Sequence, residues 1–207
     1  KQATNTGRGT FDAGFGVKPK RGSPMGSTEC LACKSRHNYP LHYWKSVPLS
    51  VLGLPRSENE ARHMANFVMD LRQCAMCSHV FHTEFDYEKI PYRTGSNLVF
   101  NQAHYWQRYQ EELAASWIER IGLRGGTVLE IGCGEGGFLT PFLAADNRCV
   151  AFEPGPDAVK ARTLGVEVHQ EYFQPSRLHE LKPDAIICRH VLEHLSDPLD
   201  FLQGISL

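Results

Sequence analysis

Two groups of residues in this sequence have the types and spacing to do chemistry. The first is a pair of Cys-x-x-Cys units, Cys30 with Cys33 and Cys74 with Cys77. A two-residue gap lets both thiolates of a unit face one ion, while amides in the turn can hydrogen-bond the sulfurs. Four thiolates fill a tetrahedral shell and leave no open position, so the pattern points to a structural Zn2+. His37 and His79 lie close enough in sequence to replace one thiolate. A redox dithiol would need a Cys-x-x-Cys at the head of a helix that follows a strand, and neither unit has that context.

The second group is Val128-Leu129-Glu130-Ile131-Gly132-Cys133-Gly134-Glu135-Gly136-Gly137-Phe138. A short apolar strand runs into glycines at alternate positions and then into a helix. Glycine is needed where the chain reverses tightly and a ligand must approach the backbone without a Cβ in the way. A following strand ends in Glu153, 19 positions after Gly134. A carboxylate there can accept hydrogen bonds from both hydroxyls of a ribose. Glu130, in the strand just before the glycines, would repel a pyrophosphate and suits a ligand with a positive α-amino group. S-adenosylmethionine, an amino acid bearing a sulfonium, fits that pattern; NAD fits it less well.

Positioning these residues takes alternating strands and helices. The apolar runs predict strands at 128–131, 149–152, 166–168 and 185–188. Helices are expected from Gly136 to Ala145, between Pro156 and Gly165, and from Ser196-Asp197-Pro198 onward. Ahead of them Trp106, Tyr109, Leu113, Trp117 and Ile121 recur at spacings of three and four, the stripe of a helix over 102–121 that Gly122 would stop. The fold class expected is α/β, a Rossmann-like parallel sheet with helices on both faces. Residues 29–92 show scattered apolar and aromatic residues without sustained periodicity, as in a small loop-rich module held by a metal. The divisions are thus 1–28, a basic glycine-containing tail; 29–92, the zinc-binding module; 93–125, a linker and entry helix; and 126–207, the cofactor domain.

On these motifs residues 127–200 resemble the class I S-adenosylmethionine-dependent methyltransferases. The Val128–Gly136 stretch resembles their first motif, Ala151-Phe152-Glu153-Pro154 their acidic second, and Arg189 to Pro198 their fourth-strand exit. The resemblance implies that Glu130, Gly132, Cys133 and Gly134 line the methionine end of the cofactor. It places Glu153 and Pro154 at the ribose, Glu171 and Tyr172 near the adenine, and His190 on the methyl side. His194, four residues after His190 and sharing its face if the segment is helical, is the candidate general base. Residues 29–204 also resemble methyltransferases with an N-terminal zinc-binding domain, among them C-methyltransferases of nucleotide-linked sugars. That implies methyl transfer to a small molecule, with a sugar carbon as one acceptor. The family sheet has seven strands and only four are countable here, so the chain reads as the N-terminal half of that fold. The Tyr-His-Glu-His stretch of the sugar enzymes is absent, and a non-catalytic module that binds S-adenosylmethionine or a protein partner is the alternative.

Composition narrows the remaining classes. Lys and Arg number 22 against 23 Asp and Glu, a net charge of −1 that provides no general field for nucleic acid or an anionic membrane. The tail of 1–28 holds five basic residues against Asp12, but the rest of the chain carries no basic surplus. No apolar run is long enough to span a bilayer. Seven cysteines, four of them paired as metal ligands and Cys133, Cys149 and Cys188 single in apolar segments, indicate a reducing, cytoplasmic setting. The chain does not start with Met and stops at Leu207 without a tail, as a fragment would. An unfinished sheet would leave an edge open to self-association. The other histidines, His169 included, read as surface or loop residues, and Trp44, Trp106 and Trp117 as core.

Overall fold

A computed structural model describes residues 29–48, 55–85 and 103–206. The larger unit is a four-stranded parallel sheet of β4 (Thr127–Ile131), β5 (Arg148–Phe152), β6 (Glu167–His169) and β7 (Ala185–Cys188). Spatial order is β6-β5-β4-β7, so the chain steps outward twice from β4 and then returns to β4's other side. The expected strands are all present, and the register runs Val128 opposite Cys149 and Ala185.

Both faces of this sheet are covered, which is why its strands are apolar at successive positions instead of alternating. Val128, Cys149, Ala151 and Ile187 face a core shared with Ala114, Ile118, Phe138, Leu139 and Phe142. Leu129, Ile131, Val150 and Phe152 face the other way, onto Phe173, Leu178, Val191, Leu195 and Phe201. The first face is closed by α2 (His104–Ile121), a 3-10 turn at Gly137–Leu139 and α3 (Thr140–Ala144). Gly122, in the left-handed conformation, ends α2 where expected. Beyond β5 come α4 (Ala158–Thr163), α5 (Leu178–Leu181) and α6 (Pro198–Ile205). The helix expected from Gly136 is thus a 3-10 turn continued by one short α-turn, because Gly136 itself is left-handed and starts nothing. Asn147 fastens the base of the sheet: its Oδ1 accepts from Gly126 N, and its Nδ2 donates to the carbonyls of Leu123 and Phe142.

The cysteine module is more regular than its sequence suggests. It is an antiparallel sheet of β1 (Asn38–Pro48), β2 (Asn66–Cys74) and β3 (Val80–His82), with the short α1 (Glu58–Arg62) between β1 and β2. Two register shifts interrupt the β1–β2 ladder. The bulges break the period-two pattern, and β1 is exposed along nearly its whole length. With no buried face there is no alternation to read. Trp44, expected in a core, is 42% exposed, and the core of the module is Cys30, Cys74 and Phe81. Lys34 of this module reaches Asp197, ahead of α6, at 3.0 Å.

Candidate cofactor and metal sites

The two Cys-x-x-Cys turns are copies of one another. Cys30 N donates to Ser35 O and Lys34 N to Cys30 O; in the second turn Cys74 N donates to His79 O and Ser78 N to Cys74 O. Lys34 and Ser78, each directly after its second cysteine, are both left-handed at φ 61 and 63. Ala75 N donates to His37 O and ties the turns together. All four sulfurs lie within 4.8 Å of one another, with Cys30 to Cys77 at 3.6 Å and Cys33 to Cys74 at 3.5 Å. Metal–sulfur bonds of about 2.3 Å in a tetrahedron require sulfur separations of about 3.8 Å. The donor set fits a thiophilic ion. Burial raises the Cys74 thiol, yet the amides of Cys77 and Met76 and the Cys33 thiol outweigh it and bring it to about 6. His37 and His79 supply backbone carbonyls to these turns, and the four-sulfur cluster does not include their rings.

The cofactor candidates gather at the carboxyl ends of the parallel strands. A ligand crevice opens there where neighbouring strands send their chains in opposite directions. In this sheet that point lies between β4 and β7, where Gly132 and Arg189 leave. Gly132 is left-handed at φ 73, and a Cβ on it would sit 2.7 Å from Val191 Cγ2. Gly136, at φ 79, lies against α4: a Cβ would be 2.7 Å from that of Ala161. A Cβ on Gly134, by contrast, would meet nothing within 4 Å. The loop is packed at both ends and open in the middle, where a ligand needs backbone approach.

Glu153 is buried, and its two oxygens clasp the loops on either side. Oε2 accepts from Gly134 N at 2.9 Å and Oε1 from Gly155 N at 2.7 Å. Burial raises its pKa, and these two amides pull against that rise. Glu135 pairs with Lys160 of α4 and holds the loop from outside. Pro154 and Tyr172 are half-buried, and Glu171 is exposed, on the segments leaving β5 and β6. Cys133 is half-buried, and burial together with Glu130 and Glu153 keeps its thiol strongly protonated.

Glu130 is the unusual residue of the sheet. It shares the face of Val128, where an apolar side chain is the rule, and it is 1% exposed. Burial, only partly opposed by Arg189, raises its pKa to about 8. Oε1 stands 3.5 Å from Arg189 Nε, and Oε2 is buried with no hydrogen-bond partner among the described residues. Arg189, in the fourth-strand exit, is central to this end of the sheet. Its guanidinium carbon lies 3.4 Å from the centre of the Phe138 ring. With its amide oxygen turned toward them, Gln110 accepts from Arg189 Nη2 at 3.3 Å and from Trp106 Nε1 at 2.9 Å. An arginine directly after an apolar strand, at the carboxyl edge of a parallel sheet, is the sequence signal that would have found it.

His190 and His194 do not share a helical face. His190 is left-handed at φ 54 and exposed, 6.3 Å ring-to-ring from Trp106, and His194 lies in a separate 3-10 turn, Leu192–His194. Burial lowers the pKa of His194 and favours its neutral form. His169 is not a plain surface residue: its ring stacks on Phe152 at 4.7 Å and its Nδ1 is 3.4 Å from Arg177.

Residues 105–206 match the model of the methyltransferase domain family. These 102 residues, just under half of the chain, are thus similar to methyltransferase domains. The chain is similar to the ubiquinone biosynthesis O-methyltransferase of Pseudomonas paraeruginosa, 31% identical over 121 residues. The proteins of that name from Pseudomonas fluorescens and Pseudomonas putida are 34% identical over 124 residues and 33% over 121. In each case the match covers 49% of this chain and 52% of the relative. The chain spans about half the length of the curated relatives it matches. No helix among the described residues is long and apolar enough to cross a membrane.

Proposed function

We propose that this chain binds S-adenosylmethionine in the crevice between β4 and β7 and transfers its methyl group to a hydroxyl oxygen of a small molecule. The observation that carries the reading is the open Gly134 backbone flanked by two buried carboxylates, Glu130 and Glu153, at the switch point of the sheet. The orphaned Glu130 Oε2 and the cradle at Gly134 fit a ligand that is cationic at one end and carries a ribose. When bound, the cofactor supplies an activated methyl, and the protein's work is alignment and removal of one proton. Glu130, Gly132, Cys133 and Gly134 would hold the methionine end. Glu153, fixed by two amides and with lone pairs to spare, would accept the ribose hydroxyls beside Pro154. Glu171 and Tyr172 would border the adenine. His190 would flank the methyl side, and neutral His194 would take the acceptor's proton.

Oxygen as the acceptor atom comes from the relatives, which their names describe as O-methyltransferases. The sugar-carbon acceptor expected from the two-domain layout has no counterpart among them. We further assign the four cysteines to a structural Zn2+ in the 29–92 module, the 93–125 segment to the linker and entry helix, and 126–207 to the cofactor domain. Titration calorimetry of S-adenosylmethionine with Glu153→Ala tests the reading. Leaving hydroxyls unpaired costs about 1–3 kcal/mol, so affinity should fall roughly five- to 150-fold. Unchanged affinity would remove the ribose assignment. Tight binding without methyl transfer to any hydroxyl-bearing small molecule would leave a non-catalytic module.

A further inference from the structure

A buried acid, Glu130, and a half-buried guanidinium, Arg189, stand side by side in this fold without closing on each other. Arg189 Nε and Glu130 Oε1 are 3.5 Å apart, and neither Arg189 Nε nor Glu130 Oε2 has a hydrogen-bond partner among the described residues. A largely desolvated acid–guanidinium pair is ordinarily closed by direct hydrogen bonds, because desolvation is otherwise uncompensated. Here the guanidinium is held off by its other contacts. Phe138 supports its face, and Gln110 fixes Nη2 from the side of α2. Phe138 follows the glycine loop directly, so the arginine is stacked beside that loop and comes nearest Glu130 with Nε.

We propose that Arg189 is the anchor for the carboxylate of the bound amino-acid end, so that Arg189 and Glu130 together form a two-charge clamp for a zwitterion. This rests on the S-adenosylmethionine reading above. The logic is charge complementarity within one small space. An α-amino acid presents an ammonium and a carboxylate two bonds apart on one carbon. A site with only Glu130 would pair the ammonium and strand the carboxylate beside a buried acid. A planar guanidinium is the side chain suited to a carboxylate, because its donors match both oxygens. The same-face placement of Glu130 on β4 and Arg189 just beyond β7 comes from the parallel register Ile131 opposite Cys188.

A ligand deletion paired with a residue deletion tests this. The full chain and its Arg189→Gln variant are titrated calorimetrically with S-adenosylmethionine and with decarboxylated S-adenosylmethionine, which keeps the amine, sulfonium and nucleoside. Charge-assisted hydrogen bonds of about 1.5–3 kcal/mol correspond to about 10- to 150-fold. Wild type should prefer the carboxylated ligand by a factor in that range, and Arg189→Gln should lose that preference while binding the decarboxylated ligand within about threefold of wild type. Equal loss for both ligands in the variant would make Arg189 a packing residue and overturn the assignment alone. A wild type that binds neither ligand would overturn the cofactor reading and the clamp with it. Arg189→Lys keeps the charge but not the fork, and serves if the Gln variant does not fold: a loss confined to the carboxylated ligand is expected, and an undiminished preference would overturn the proposal.

Discussion

Glu130 should govern how the stability of the ligand-free protein depends on pH. Burial lifts its pKa from 4.5 to about 8, with Arg189 opposing and Glu153 adding to the rise. A carboxyl whose pKa rises on folding binds its proton more tightly in the native state. The stability it contributes is therefore complete below pH 4.5 and withdrawn as pH climbs through about 8. At about 1.4 kcal/mol per pH unit, the interval between those two values corresponds to at most about 5 kcal/mol, comparable to the whole net stability of many domains. Glu130→Gln keeps the shape and removes the titration. Urea denaturation of both proteins, followed by tryptophan fluorescence at pH 5 to 9, gives the difference in unfolding free energy. Asp157 is also raised by burial, but it has no direct coupling to Glu130 and cancels in the difference; Glu153, which raises Glu130, is relieved of that repulsion in the Gln variant. The Gln variant should gain on wild type by several kcal/mol between pH 5 and pH 9, with most of the gain below pH 8. A difference that stays flat within about 0.5 kcal/mol would refute the claim that Glu130 is buried and protonated at neutral pH.

Two further perturbations probe the loop and the cysteine turns. Gly136→Ala puts a Cβ 2.7 Å from Ala161 Cβ and 3.0 Å from its Cα, in a left-handed backbone. It should cost about 2–4 kcal/mol by urea denaturation, against about 1 kcal/mol for Gly134→Ala, which meets open space; equal costs would contradict the packing described. Cys74→Ser should lower bound zinc from one ion per chain toward none by elemental analysis. Because structural zinc contributes on the order of 10 kcal/mol to folding, the β1–β3 sheet should then become protease-sensitive while residues 103–206 stay protected.

Much of this protein was legible from the chain itself. The glycine loop and the Cys-x-x-Cys turns are local devices, closed by bonds between residues a few positions apart, so spacing alone specifies them. The four parallel strands were legible because each is a short apolar run between turn residues. Other features lie beyond local pattern. The β1 hairpin escapes periodicity because neither of its faces is buried and two bulges break its register. Tertiary structure alone decided that Arg189 faces Glu130, 59 residues earlier. That meeting requires β7 to return to the far side of β4, and no local propensity encodes a strand order. Tertiary packing elsewhere in the sheet likewise fastens Asn147 to the carbonyls of Leu123 and Phe142 and stacks His169 on Phe152. Sequence thus determined which residues could bind an ion or a nucleoside, and the order of the strands decided which charges meet in the crevice.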